Sequence, residues 1–518
     1  LVYQPRRSRS IDAELSSSYW TWRANPALTV PSMFSTSLSV LVESIVGLAV
    51  LGLIVDLEKT DWLVRIAKAV SSMDYAQLGE LLRSPGFVFV ALAFLAPAVF
   101  VAIVVEVLAS GFVYSAEFGS YWLALQGSHV GVAEVMDKFT ERWREMAWTH
   151  FLSYLVTLAP VLVACAVGMS AVAAGGGLAE GLVAIVLVVI GLAGTLLLSS
   201  MLIFTPVVVM AEGLSGRAAV SRSLGLGRRN LGSAFVYGLV YVVLTGGVTF
   251  VSSLFQGAGL PLSSLASVGI LILVTPVLHL TKTNIYRDSL AEGSAARELL
   301  PSFFSDVGPL AAMLWGKFLK GLGELKAFVA DVRNLPYHLL SSASMLMGWF
   351  AGVYLAQNGV TQLLVSIGMV TGKINPVVSG DLPLTLGISI FFHNWQVSLA
   401  TALSGVWFSV APFVTLFLNG TVIGAVSGLA PTPAMFAAAI LPHGVIEIPS
   451  LVLAGSAGMK LGVSFLRFVK GGPQEADQFH VAARQTVYIA VGLALLFLVA
   501  GFIEGNITPV IMRMAGWT

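Results

Sequence analysis

Two side chains able to carry proton or metal chemistry, His443 and Glu447, stand four residues apart in Leu441-Pro442-His443-Gly444-Val445-Ile446-Glu447-Ile448-Pro449. On a helix that spacing turns both the same way. An imidazole beside a carboxylate can move a proton or help to hold an ion, and a two-histidine, one-carboxylate metal set would need one more imidazole. His393, in His393-Asn394-Trp395, is available if the fold brings it near. Pro442 and Pro449 each remove a backbone donor and, with Gly444 between them, invite a helix break, either to line a polar site or to shape a bundle. With Asn394 and Asn419, the candidate intramembrane polar site is therefore His393, Asn394, Asn419, His443 and Glu447.

These residues lie in a chain of 518 residues that is 57% hydrophobic and only 11% charged. Soluble domains carry about 25% charge, so so much apolar surface must face lipid. Uncharged runs of roughly 20 residues, the length that crosses a bilayer as a helix, recur along it. The expected fold is an all-α polytopic membrane protein with about nine to eleven transmembrane helices and no soluble domain large enough to be an enzyme. A net charge of +1, with no basic run interleaved with aromatics, argues against nucleic acid as a partner. Cys165 is the sole cysteine, so neither a disulfide framework nor a cysteine zinc site is available. Arg6, Arg7 and Arg9 lead into a polar stretch rather than a short apolar core, so no cleavable signal peptide is expected.

Three regions follow from the spacing of the runs. Residues 1–280 hold six spans, near 34–55, 87–108, 148–169, 182–209, 235–254 and 262–280, with Gly175-Gly176-Gly177 as a tight hairpin turn. Residues 281–335 form a cytoplasmic connector in which Leu310, Leu314, Phe318, Leu322, Leu325, Val329 and Val332 make an apolar stripe opposite Lys317, Lys320, Glu324 and Asp331. That helix lies either on protein or in the membrane interface. Residues 336–518 carry further runs, and the one from 384 to 428 is too long for a single span, so Ser404-Gly405 is the expected break. Basic loops place the N-terminus in the cytoplasm.

Ionisable groups at bilayer depth ask for a partner, which makes Glu43, Glu106 and Glu504 further candidates for burial between helices. Gly420, Gly424 and Gly428 form small-xxx-small steps that let another helix approach, in this chain or another copy. No H-E-x-x-H, G-x-S-x-G or G-x-x-x-x-G-K-[ST] motif occurs, so no catalytic residue, cofactor or metal is assigned.

His393-Asn394, Phe417-Leu418-Asn419-Gly420 with Gly424, Leu441-Pro442-His443-Gly444 through Glu447-Ile448-Pro449, and Phe502-Ile503-Glu504 with Pro509 resemble the stage II sporulation protein M family over roughly the last 180 residues. The resemblance implies a multispan module, known in sporulating bacteria from a complex that remodels septal membrane and wall, where partner proteins carry the hydrolysis. More loosely, Phe204-Thr205-Pro206, Glu212-Gly213, Ala218, Ser221 and Arg228-Arg229-Asn230 resemble the YciC-like and glycerophosphodiester phosphodiesterase membrane-domain group, whose membrane domain has no catalytic residues to transfer.

The leading expectation is a nonenzymatic scaffold or membrane-remodelling component of the cell membrane, contacting lipids and other membrane proteins or copies of itself. A transporter or channel built around His443, Glu447 and Asn419 is the alternative from another class, and an intramembrane metalloenzyme the third.

Overall fold

In lipid a backbone can satisfy its own N–H and C=O groups within one segment only as a helix, and these runs comply. The computed structural model describes residues 11–175, 177–247, 250, 269–290, 303–358, 383–471 and 473–516, and among them the regular structure is entirely helical. Helices α1 (Ile11–Ala24), α2 (Val30–Lys59), α3 (Trp62–Ser71), α4 (Tyr75–Arg83), α5 (Pro85–Leu125) and α6 (Val132–Glu141) come first. They are followed by α7 (Trp143–Gly175), α8 (Leu178–Met201), α9 (Thr205–Ala211), α10 (Gly216–Arg229), α11 (Leu231–Val242) and α12 (Thr275–Leu290). The C-terminal set is α13 (Val307–Ala330), α14 (Leu335–Gln357), α15 (Pro383–Leu403), α16 (Val410–Leu429), α17 (Pro433–Lys470), α18 (Pro473–Gly492), α19 (Ala494–Phe502) and α20 (Thr508–Met514).

Among the described residues eight segments are long and apolar enough to cross a membrane: Pro26–Lys59, Pro85–Leu125, Trp143–Ala173, Ala179–Ala211, Val332–Gln357, Val410–Leu429, Pro433–Lys470 and Glu475–Met514. Counting Gly216–Arg229 with Leu231–Gly247, bent by 94°, as one span gives nine. The ends of the expected spans at 235–254 and 262–280 lie partly outside the described residues.

Packing departs from chain order. One compact unit draws on the described parts of Leu1–Ser35, Val107–Phe250 and Gly269–Val307, the other on those of Thr36–Glu106 and Gly308–Thr518. Polar side chains on α2 account for its place in the second unit. The Trp407 indole donates to Ser37 Oγ at 3.2 Å, and the hydroxyls of Ser44 and Thr415 share a hydrogen bond at 3.4 Å. Farther along α2, Leu57 closes a small apolar cluster with Leu63 and Leu355.

In the first unit α7 and α8 form the hairpin that the glycine-rich turn implies. Gly191 rides on the backbone of Pro160 and Val161, where an added Cβ would fall 2.9 Å from each.

In the second unit the Gly420, Gly424 and Gly428 stripe finds its partner within the same chain. A Cβ on Gly420 or Gly424 would lie 2.0 Å from the carbonyl oxygen of Met345 or Trp349 on α14, and one on Gly348 would lie 1.9 Å from the Phe417 oxygen on α16. The two backbones therefore touch, with no room for any side chain at these positions.

Two expectations about irregular backbone separate here. The 384–428 run does divide, through a 3-10 turn at Ser404–Val406 followed by Phe408 and Ser409 at φ 58° and 63°. Ser404 Oγ donates to the Thr401 carbonyl at 2.8 Å, one of the acceptors that the end of α15 exposes, and Ser409 Oγ donates to the Met459 carbonyl at 2.9 Å, which fastens the turn to α17. By contrast the expected break at Pro442, Gly444 and Pro449 is absent, because α17 runs unbroken through both prolines. Each proline costs one helical bond, and the rest of this 38-residue helix, packed along one face through His443, Gly444 and Ser450, keeps its ladder in register.

The connector is a helix as its periodicity predicts, but its contact line is rotated by about one residue. Gly321, Leu325 and Phe328 are buried, while Leu314, Val329 and Val332 are exposed. Gly321 sets the line, since its backbone lies against Gly492 of α18. Lys320 consequently sits 4.6 Å over the Tyr488 ring instead of facing away from the protein.

Gly348→Ala should lower the stability of the full-length protein by about 1–3 kcal/mol, read as a fall in its thermal unfolding midpoint in detergent. Gly316→Ala, where nothing lies within 4 Å of the added carbon, should leave the midpoint unchanged or raise it. Equal responses of the two would contradict the backbone contact.

Candidate functional site

Because α17 is continuous, His443 and Glu447 do share one face, and the third member of the cluster comes from a distant part of the chain. Residues Ile503–Ile507 between α19 and α20 form a π-helical turn that contains Glu504. An extra residue per turn swings side chains out of helical phase, and such turns recur at functional positions. One ligand atom each from His443, Glu447 and Glu504 lies within 4.8 Å of the others. Glycines bring this turn close, since Gly501 and Gly505 both pack against the backbone of Gly387 on α15.

The surroundings hold the cluster in place. His443 is 8% exposed and its Nδ1 is 3.2 Å from the hydroxyl of Thr508, the first residue of α20. The Asn394 amide bonds to the Glu447 carboxyl, whose Oε2 is sealed from solvent without a hydrogen-bond partner. Two carboxyls and an imidazole so placed can share a proton or hold a cation.

Asn394, His443, Glu447 and Glu504 are thus brought together, whereas His393 and Asn419 are not. His393 is exposed, and the Asn419 amide donates to the Thr415 carbonyl of its own helix at 2.8 Å. The two-histidine set gives way to one histidine and two glutamates because His393 and Asn394 are neighbours on α15 and only Asn394 faces α17. Glu106 and Glu504 are half-buried. Glu43 departs from expectation, for it is exposed: Ser37 and Ser44 turn toward Trp407 and Thr415, and Glu43 points about 100° away from Ser44.

Helices of this length, composition and number define the class: a polytopic all-α membrane protein. Residues 339–509, which hold the whole cluster, match the family model of Stage II sporulation protein M. An uncharacterized protein of Methanocaldococcus jannaschii is 36% identical over 72 residues, 13% of this chain and 33% of that protein. A second uncharacterized protein of the same organism is 25% identical over 170 residues, 29% of this chain and 92% of that protein. The chain thus spans about a third of one relative and nearly all of the other. No solved structure matches the chain.

The first unit contains polar networks that spacing alone did not single out. Glu117, 2% exposed, accepts from Tyr121 Oη at 3.1 Å and pairs with His279 Nδ1 at 2.7 Å. Lys282 Nζ lies 4.3 Å over the Phe118 ring beside it. The apolar run near 87–108 ends before these residues, yet α5 continues to Leu125, which makes Glu117 and Tyr121 an i, i+4 pair. That spacing, and His279 with Lys282 three apart, was the available signal.

Further along, Glu212 of the Phe204-to-Asn230 motif accepts from Arg222 Nε at 2.9 and 3.0 Å and from Tyr286 Oη at 2.7 Å. Burial works against its charge, but these donors outweigh it and hold the carboxyl below its ordinary range.

Tyr19 Oη and Arg23 Nε both donate to Asp306 Oδ2 at 2.6 Å, which ties α1 to the turn before α13. The Tyr19 bond, then that from Arg23, keeps the Asp306 carboxyl below the ordinary range, while burial and Asp306 push the Tyr19 phenol up to about 12. The Asp306 contribution is present above about pH 4 and is lost as pH falls through the depressed value; the Tyr19 contribution is present below about pH 10 and is lost as pH rises through its raised value. A spin label on Asp12→Cys, in a Cys165→Ser background, should report α1 loosening at both extremes. Asp306→Asn should abolish the acid limb, and a label equally immobile at every pH would contradict the tie.

Proposed function

We propose that the protein is a nonenzymatic membrane scaffold or membrane-remodelling component of a multiprotein complex in the cell membrane, with its N-terminus on the cytoplasmic side. The observation that supports it is Glu43, an ionisable side chain in the middle of the span Pro26–Lys59 that is exposed among the described residues. Against hydrocarbon such a group costs about 2.5–3.5 kcal/mol on insertion scales, a penalty that a donor on another membrane protein, or on a further copy, removes. Leu314, Trp315, Leu319 and Val329 on α13 are exposed as well and form an apolar surface suited to the lipid interface. The backbone-to-backbone contacts of α14 with α16 favour a rigid body over one that opens and closes.

A transporter or channel is the second reading, favoured by the buried polar cluster on α17. If Glu447→Gln leaves every ion and proton flux in liposomes unchanged, that reading fails.

For the scaffold, extraction of membranes in mild detergent should yield the wild type in an assembly larger than a monomer, which Glu43→Lys should dissolve and Glu43→Gln should weaken. A wild-type protein that runs as a lone monomer under the same conditions, and leaves vesicle shape unaltered, would overturn the proposal.

A further inference from the structure

We infer that His443, Glu447 and Glu504 form a binding site for a single divalent first-row transition-metal ion. The three donors come from two segments 57 residues apart in sequence (504 − 447), yet one ligand atom of each falls within 4.8 Å of the other two. Small side-chain adjustments close that spacing onto an ion with bonds of roughly 2.0–2.2 Å.

The donor set and its charge select the occupant. Two carboxylates set side by side in a low-dielectric interior repel each other strongly, and a divalent ion neutralises both at once. One imidazole with two carboxylates suits manganese, iron, cobalt or zinc. It disfavours magnesium and calcium, which prefer oxygen alone, and copper(I), which prefers sulfur.

The supporting shell is of the kind metal sites use. Thr508 fixes the His443 ring through Nδ1, and Asn394 orients the Glu447 carboxyl. Glu447 Oε2 is sealed off with no protein donor, an arrangement that is costly for a carboxylate unless something else binds it. The π-turn aims Glu504 at α17, and the glycines on either side of it let that turn reach the site. Three protein donors leave at least one coordination position open.

The test uses the full-length protein in detergent, stripped with a chelator and titrated with cobalt(II) alone. The expected result is one equivalent bound per chain, seen as visible ligand-field bands that zinc(II) displaces. Glu504→Gln and Glu447→Gln should each weaken binding by about 100-fold or more, Asn394→Ala by about 10-fold, and Glu43→Gln not at all. Should a glutamine variant fail to fold, a cobalt-dependent rise in the unfolding temperature of the wild type still decides the matter. A wild type without bands or thermal shift up to millimolar cobalt, or glutamine variants that titrate like the wild type, would overturn the inference; the carboxyls would then be sharing a proton.

Discussion

Where two helix backbones meet with a carbonyl oxygen about 2 Å from the place a Cβ would occupy, only glycine fits, and α14 and α16 meet in this way at Gly348, Gly352, Gly420 and Gly424. Lipid gives helices no hydrophobic reason to associate, so close van der Waals contact over a smooth surface must supply the attraction. The same device recurs at Gly405 on Gly458, at Gly321 on Gly492 and at Gly387 on Gly501. Each contact fixes one more helix: the turn after α15 onto α17, α13 onto α18, and α15 onto α19. The second unit is thus a set of backbones in direct contact, and the polar side chains take positions that the contacts dictate.

The cluster on α17 illustrates the dependence. His443 and Glu447 are placed by helical geometry alone, but Glu504 reaches them only because Gly501 and Gly505 allow the π-turn to lie against Gly387. Asn394, on the same helix as Gly387, then falls beside Glu447. Replacing small residues by larger ones here would move ligand atoms without touching any of them. The same logic explains Glu43: α2 is docked through Ser37 and Ser44, which turns the carboxylate away from Trp407 and Thr415 and leaves it exposed among the described residues.

Much of this was legible in the sequence. Low charge and repeated apolar runs required membrane helices, the glycine triplet at 175–177 required a hairpin, Ser404-Gly405 marked a true break, and the Leu441-to-Pro449 motif pointed to the family matched by residues 339–509. Two local rules misled. Pro442 and Pro449 do not interrupt α17, since a long helix with the rest of its ladder intact tolerates a missing donor. The apolar stripe of α13 did not give its contact face, because backbone contact at Gly321 outweighs side-chain hydrophobicity where both sides of the helix have somewhere apolar to go.

The sequence by itself determined the membrane class, the positions of most helices and the shared face of His443 and Glu447, all of which follow from composition and from periods of a few residues. Only the tertiary structure decided that Glu504 and not His393 completes the cluster, that the glycine stripe of α16 is satisfied within the chain, and that Glu117 meets His279. Those pairings join residues between about 57 and 162 positions apart, and periodicity on one helix carries no information about which other helix it will meet.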